Sequence, residues 1–204
     1  MLPEQLAPGL FRWTAPHPQW NPATESSSSS DWGQMVGSAL YEAPDTVAIF
    51  DPLLPREEAE PFLAWLDELV GSRPVSVLTT IRWHRRDREQ LAERYSENSS
   101  RAWNVVPAGV EPRPLRGAAE TMYWLPAVAT LIVGDRLLGD GSAGLRVCPE
   151  SWLRQVQVDR PGLAHLMLGL LDLPIERVLV SHGEPVLHDG RAALAHAIAE
   201  ARED

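Results

Sequence analysis

The sequence has one cysteine, Cys148, among its 204 residues. A single cysteine can form neither an internal disulfide nor a cysteine-based zinc cluster. Positive charge is also scarce, since 18 Lys and Arg stand against 28 Asp and Glu and the net charge is −10. This balance argues against a broad electrostatic contact with nucleic acid or with an anionic membrane.

Long apolar runs are missing as well. No stretch approaches the roughly 20 apolar residues that span a bilayer, and Met1–Gln5 lacks the basic-then-apolar layout of a secretion signal. We therefore expect a cytoplasmic protein with no nucleic-acid or membrane partner. The 44% hydrophobic content favours a single domain over residues 1–204. Because no long heptad pattern occurs, a monomer and a small homo-oligomer both remain open.

The order of apolar patterns predicts an α/β protein with a mixed sheet, because strands come first and then alternate with helices. Segment 15–31, which includes the five-serine run Ser26–Ser30, offers little to bury and is predicted to be a flexible loop. Whether that loop forms a lid stays open, and the proline-bearing segment 107–117 is predicted to be irregular. The predicted strands cover 9–13, 36–41, 46–52, 75–79, 103–106, 122–125, 129–133, 145–148 and 177–180, and the predicted helices cover 56–70, 87–95, 161–171 and 190–204.

Three short polar segments follow buried strands. Residues 80–87 follow the strand at Val75, Gly134-Asp135 follows the strand at Ala129, and His182-Gly183 follows the strand at Arg177. The ends of such strands are where α/β folds collect functional groups. We therefore expect these three segments to form one site.

The first of these segments carries a resemblance to a known family. Residues 77–85 read Val-Leu-Thr-Thr-Ile-Arg-Trp-His-Arg, which resembles the metal-binding loop Thr-His-x-His-x-Asp-His of the metallo-β-lactamase superfamily. In that resemblance Asp135 matches the carboxylate that bridges two metals, His182 matches the last metal ligand, and Asp51 matches an Asp that supports the ligands. The resemblance covers roughly residues 10–194. It implies a four-layer αββα sandwich of the metallo-β-lactamase type, with mixed sheets flanked by helices.

The departures from the family motif concern the first metal. Thr80 and Arg82 stand where the first two His of the motif belong, and Ala118 stands where a third His belongs. None of the three is a zinc ligand in practice, so the resemblance implies that the first metal site is lost. His84 takes the place of the motif Asp and Arg85 that of its last His.

Two hypotheses for the second metal follow. In the preferred one, no metal is bound, Arg82 or Arg85 forms an ion pair with Asp135, and the domain is a non-hydrolytic protein that binds a small anion. Its candidate pocket is Arg82, His84, Arg85, Asp135 and His182. In the alternative, His84, Asp135 and His182 hold one Zn, Fe or Mn ion and the protein hydrolyses an ester, thioester or amide. A structural or partner-binding domain without a ligand is a third possibility, so whether the protein is an enzyme stays open.

Overall fold

The computed structural model describes residues 3–21, 33–97, 105–141 and 144–203. Within these ranges lie eleven β-strands and four α-helices, joined by loops and short 3-10 turns. In chain order they are β1 Glu4–Ala7, β2 Leu10–Pro16, β3 Met35–Glu42, β4 Val47–Phe50, α1 Ala59–Val70, β5 Val75–Leu78, α2 Arg88–Arg94, β6 Glu111–Leu115, β7 Glu120–Leu125, β8 Thr130–Ile132, β9 Leu137–Asp140, β10 Gly144–Val147, α3 Arg160–Met167, β11 Arg177–Leu179 and α4 Gly190–Glu203.

Two mixed sheets form the centre of the fold. The first has the strand order β1-β2-β3-β4-β5 and is antiparallel except for the parallel pair β4 and β5. The second has the order β11-β8-β7-β6, in which β11 and β8 are parallel. The remaining strands, β9 and β10, pair as a separate antiparallel hairpin. The mixed character and the antiparallel pairing of β3 with β4 agree with the sequence pattern.

Three apolar clusters separate four layers of structure. The central cluster lies between the sheets, where Phe50 and Leu78 of the first sheet meet Tyr123 and Leu179 of the second. A second cluster joins the outer face of the first sheet to α1 and α2, and a third joins the outer face of the second sheet to α3 and α4. Each helix buries one apolar stripe against one sheet. The predicted αββα sandwich is therefore confirmed.

Three strands were not predicted. β6 falls in the segment expected to be irregular because it contains Pro112 and Pro114. That expectation is wrong, since β6 lies at the edge of its sheet and pairs only with β7, where proline is tolerated. β1 and β9 are short, four residues each, and carry weak apolar patterns.

The flexible segment predicted at 15–31 is only partly described. Ala15 and Pro16 belong to β2, and residues 22–31, including Ser26–Ser30, lie outside the described residues. The same holds for residues 103 and 104 of a predicted strand, while Val105 and Val106 are in no strand. Among the described helices, none combines the length and the apolar character needed to cross a bilayer.

The two parallel pairs place four loops at one edge of the sandwich. Asp51 follows β4, Thr80 lies just beyond β5, Asp135 follows β8, and His182 follows β11. Backbone hydrogen bonds join these strand ends within each sheet, from Asp51 N to Leu78 O and from Val133 N to Leu179 O. Because the carboxyl ends of parallel strands share an edge, residues distant in sequence meet there.

Candidate metal centre

His84, Asp135 and His182 meet at this edge. Nε2 of His84 lies 3.0 Å from Asp135 Oδ1, and Nε2 of His182 lies 3.1 Å from the same oxygen. All three residues are buried, and one ligand atom from each falls within 4.8 Å of the others. The structure therefore brings together the three residues that the sequence offered as alternative metal ligands.

The orientation of the two rings fits a metal better than a hydrogen-bonded cluster. Oδ1 of Asp135 is buried, yet it accepts no hydrogen bond with acceptable geometry from any described residue, although both ring nitrogens are at hydrogen-bonding distance. Two imidazole nitrogens and a carboxylate oxygen that converge on one point form the arrangement in which a shared cation is bound. Two imidazoles and a carboxylate are common ligands of Zn, Fe and Mn. The donor set thus fits one divalent ion.

Asp51 supports His84 from the opposite side of the imidazole ring. Its Oδ2 lies 3.0 Å from His84 Nδ1 and accepts a hydrogen bond of 2.5 Å from the Thr80 hydroxyl. Its Oδ1 accepts the Thr80 backbone N–H at 2.8 Å, and the Ser181 hydroxyl lies 3.5 Å from Oδ2. If an ion were bound, a carboxylate at Nδ1 would hold the proton of a neutral imidazole there and leave the Nε2 lone pair for the metal.

Charge and burial oppose each other at the three ligands. Burial lowers the pKa of His84, but the charges of Asp135 and Asp51 outweigh it and raise that pKa to about 9 in the metal-free protein. Burial raises the pKa of Asp135, but the charge of His84 and the two imidazoles bring it well below the ordinary value. For His182 burial prevails over Asp135 and lowers the pKa, which favours the neutral imidazole. A neutral imidazole is the form that binds a metal.

The loop that carries Asp135 is held by Glu120 of β7. The buried Glu120 carboxylate accepts the backbone N–H groups of Gly134 and Arg136, each at 3.0 Å. A Cβ at Gly134 would lie only 2.5 Å from Thr80 Oγ1, so this position has no room for a side chain. Burial and the charge of Asp135 raise the pKa of Glu120 to about 7.

The loop that carries His182 depends on a close backbone approach. The carbonyl of His182 accepts the N–H of Gly139 in β9 at 2.9 Å. Gly183 has a φ of +83°, and a Cβ there would lie 2.4 Å from Gly139 O. The His-Gly pair therefore reflects a backbone requirement as well as a ligand.

Arg82 and Arg85 are not part of this centre, which corrects the ion pair with Asp135 that the preferred sequence hypothesis predicted. The Arg85 side chain is 63% exposed and pairs with Glu89 one helical turn later. The Arg82 guanidinium lies 3.4 Å from Gln155 Oε1 on the surface. Neither forms an ion pair with Asp135, because the two buried imidazoles already occupy the space around that carboxylate.

Three residues of the site are not among the five predicted pocket residues. The Trp83 indole N–H donates to Asp135 Oδ2 at 2.5 Å. Arg86, in the left-handed region with φ of 42°, donates to the carbonyls of Gly37 and Asp51. Arg136 is fully buried and donates to the Ala118 and Trp152 carbonyls. The one available signal was adjacency, since Trp83 and Arg136 each neighbour a ligand in sequence.

A cleft of about 520 Å³ opens onto the three ligands. Arg86, Arg136 and Arg154 line it together with His17, and Asp135 is the one acidic side chain that the described residues contribute to the lining. Trp83 and Trp152 add aromatic surface, and the Trp152 ring meets His182 edge-on at 5.8 Å. The cleft is therefore cationic within a protein that is acidic as a whole.

Solved structures show the same fold at low sequence identity. DIM-1 metallo-β-lactamase is 15% identical with a TM-score of 0.66, and the match covers 98% of this chain and 96% of that one. A metallo-β-lactamase from Erythrobacter litoralis is 14% identical with a TM-score of 0.63, over 99% and 92%. The mono-zinc form of FIM-1 from Pseudomonas aeruginosa is 11% identical with a TM-score of 0.60, over 99% and 96%.

No family profile matches the sequence, and no curated protein matches it. The structural matches nevertheless span nearly the whole of both chains. The chain therefore has the metallo-β-lactamase fold, as the resemblance in its motifs implied.

Proposed function

We propose that this domain holds one divalent metal ion between His84, Asp135 and His182 and hydrolyses an anionic ester, thioester or amide. The observation that carries the proposal is the convergence of two imidazole nitrogens on Asp135 Oδ1, at 3.0 and 3.1 Å, among three buried side chains. Zinc, iron and manganese all suit this donor set. A bound ion supplies Lewis-acid activation of a carbonyl group and of water.

The proposal includes the loss of the first metal site. Where the family motif has imidazoles, the Thr80 hydroxyl is already committed to Asp51, and Ala118 offers only a buried methyl group. Arg82 points to Gln155 at the surface. Among the described residues, His84, Asp135 and His182 form the single group of His, Cys, Asp and Glu donors close enough to share an ion.

Side chains around the three proposed ligands would orient His84 and attract an anionic substrate. Asp51 holds Nδ1 of His84 and so fixes the ring orientation. Arg86 donates hydrogen bonds to two backbone carbonyls, and its positive charge would also attract an anion into the cleft. Arg154 lies exposed in the cleft lining, where its guanidinium can contact a carboxylate or phosphate of the substrate.

The direct test is metal-dependent hydrolysis. Metal-depleted protein is assayed on a thioester, an ester and an amide, each bearing a carboxylate, before and after one equivalent of Zn, Fe or Mn is added. We expect turnover only after metal addition, its loss in Asp135→Asn, and its retention in the control Asp45→Asn, whose carboxylate is exposed. Turnover that survives both chelation and Asp135→Asn would overturn the proposal.

Anion recognition is tested separately by Arg154→Ala. If Arg154 contacts the anionic group in the ground state and the transition state alike, the variant raises KM with little change in kcat. The matched control is Arg85→Ala, because Arg85 is exposed and lies outside the cleft. Equal KM values for the two variants would contradict a contact between Arg154 and the anionic group of the substrate.

A second candidate function is supported by the position of His84. Its two ring nitrogens each lie 3.0 Å from a buried carboxylate, Asp51 on one side and Asp135 on the other. A protonated His84 would fill this place without a metal and leave a non-hydrolytic protein that binds anions in the cleft. Binding of a small carboxylate by chelator-treated protein that takes up no Zn, Fe or Mn would favour this candidate.

A further inference from the structure

The indole of Trp83 combines exposure with a buried hydrogen bond. The residue exposes 45% of its surface, yet its N–H donates to Oδ2 of the buried Asp135 at 2.5 Å. We propose that Trp83 is a positioning residue for Asp135, which holds Oδ2 so that only Oδ1 is presented to a metal ion. This inference rests on the proposed one-metal centre.

The ring is itself fixed on the loop that carries Asp135. The guanidinium carbon of Arg136 lies 5.7 Å from the Trp83 ring centroid, and that of Arg82 lies 5.8 Å from it. Arg136 follows Asp135 in sequence and is anchored through the Ala118 carbonyl at 2.8 Å. Cation–π contacts of this kind orient an indole that is otherwise half open to solvent. The donor and the carboxylate are therefore held in one framework.

An indole suits this role for chemical reasons. Its N–H is a donor only and is not a metal ligand, so it cannot compete for the ion. It is also neutral, whereas a guanidinium in the same place would offset the carboxylate charge and repel a divalent cation. Fixing one carboxylate oxygen restricts Asp135 to single-oxygen coordination. Outer hydrogen-bond partners of this type orient a ligand and tune its affinity for the metal.

The test compares Zn²⁺ affinity in Trp83→Phe and in wild type, by competition with a chromophoric chelator. We expect the variant to bind Zn²⁺ about 10- to 100-fold more weakly, since it keeps a ring but loses the donor. The matched control is Trp65→Phe, because Trp65 belongs to α1 and does not line the cleft. We expect that control to stay within about threefold of wild type, below the effect of a lost outer partner.

A coordination readout separates positioning from general stability. The Co²⁺-substituted wild type and Trp83→Phe should differ in their visible absorption, because Asp135 is free to turn in the variant. Should Trp83→Phe fail to fold, the indole N–H resonance of Trp83 is followed in unmodified protein. We expect it to be protected from solvent exchange and to shift when Zn²⁺ is added.

The outcomes distinguish the two proposals. If wild type takes up no Zn²⁺, the one-metal proposal fails. If wild type binds Zn²⁺ while Trp83→Phe binds equally well with an unchanged Co²⁺ spectrum, only the role of Trp83 is overturned. The role of Trp83 is also overturned if wild type binds Zn²⁺ while the indole N–H resonance of Trp83 does not shift.

Discussion

Two buried carboxylates on either side of His84 differ in how completely their oxygens are satisfied. Asp51 accepts hydrogen bonds from the Thr80 backbone and hydroxyl and lies 3.0 Å from His84 Nδ1. Asp135 accepts one hydrogen bond of good geometry, at Oδ2, while its Oδ1 lies 3.0 and 3.1 Å from two imidazole nitrogens, neither of which is aligned as a donor. The Asp51 side is a closed polar network, and the Asp135 side is open.

This difference teaches where a metal can bind. A buried polar group left without a partner costs free energy, so an open buried carboxylate calls for a ligand. On the closed side, Thr80 stands where the family motif has a metal-binding His, and its hydroxyl donates a hydrogen bond to Asp51. In the proposed one-metal centre, the Asp51 side would therefore support the fold and the Asp135 side would hold the ion.

The largest expected effect comes from exchanging the two carboxylates for amides. Asp51→Asn breaks the closed network and should lower the free energy of unfolding of metal-free protein by about 3–5 kcal/mol. Asn tolerates the left-handed backbone of Asp51, whose φ is 47°, so the loss reflects the side chain. Asp135→Asn should cost less, about 1–2 kcal/mol, since the amide oxygen can still accept the Trp83 N–H and His84 keeps its contact with Asp51.

Zn²⁺ affinity should move in the opposite order. We expect a loss of more than about 100-fold for Asp135→Asn and of about 10- to 100-fold for Asp51→Asn, because the latter acts through His84. Chemical denaturation gives the free energy of unfolding of each variant, and calorimetric titration gives its Zn²⁺ affinity. Equal stability losses, or equal affinity losses, would break the contrast between the two sides.

A smaller effect tests the loop that carries the open carboxylate. Gly134→Ala should lower the free energy of unfolding by about 1–3 kcal/mol and weaken Zn²⁺ binding, since the added Cβ would meet Thr80 Oγ1 and Glu120 Oε2. Gly141→Ala is the control, because a Cβ there meets nothing within 4 Å. If both variants behave like wild type in denaturation, the loop is not as tightly packed as its contacts indicate.

The pH dependence of Glu120 sharpens the comparison further. Its pKa is about 7 in the folded protein against an ordinary 4.5, so the native state holds a proton that the unfolded state has lost between these pH values. Stability from this group is present below pH 4.5 and falls as pH rises through about 7.

Glu120→Gln removes this decline, so we expect the variant to gain roughly 3 kcal/mol in stability relative to wild type between pH 4 and pH 8, and to be the more stable of the two at pH 8. Denaturation of metal-free protein at several pH values measures the difference in stability, with the exposed Glu57→Gln as control. A difference that is constant with pH would contradict the raised pKa.

The smallest effect concerns Arg85. Its pair with Glu89 is exposed, and exposed ion pairs contribute about 0–1 kcal/mol. Arg85→Ala should leave stability nearly unchanged and Zn²⁺ affinity unaltered. A large gain in affinity would mean that Arg85 closes the site in solution, as the sequence first suggested.

The sequence predicted the layers of the fold and the meeting of His84, Asp135 and His182 at one edge, because both follow from local patterns. His84, Asp135 and His182 each come directly after a buried strand or its loop, so strand ends alone brought them together. β6 was missed because two prolines mask an edge strand, and edge position depends on the whole sheet.

The partner of Asp135 could not be predicted for a different reason. Sequence order places Arg85 next to His84, but the 3-10 turn at Arg82–Arg85 directs Arg85 to solvent and Trp83 toward the carboxylate. Whether Trp83 or Arg85 faces the Asp135 carboxylate depends on the backbone conformation of this single 3-10 turn. The buried Arg136 was equally hidden, since its partners are backbone carbonyls distant in sequence.

The central proposal is that His84, Asp135 and His182 hold one metal ion. Anomalous diffraction from crystals grown with zinc tests it most directly, because the peak locates the ion among its ligands. We predict a single peak bounded by the two Nε2 atoms and Asp135 Oδ1, with none beside Thr80 and Ala118. Two peaks at this edge, or none in crystals saturated with zinc, would contradict the account.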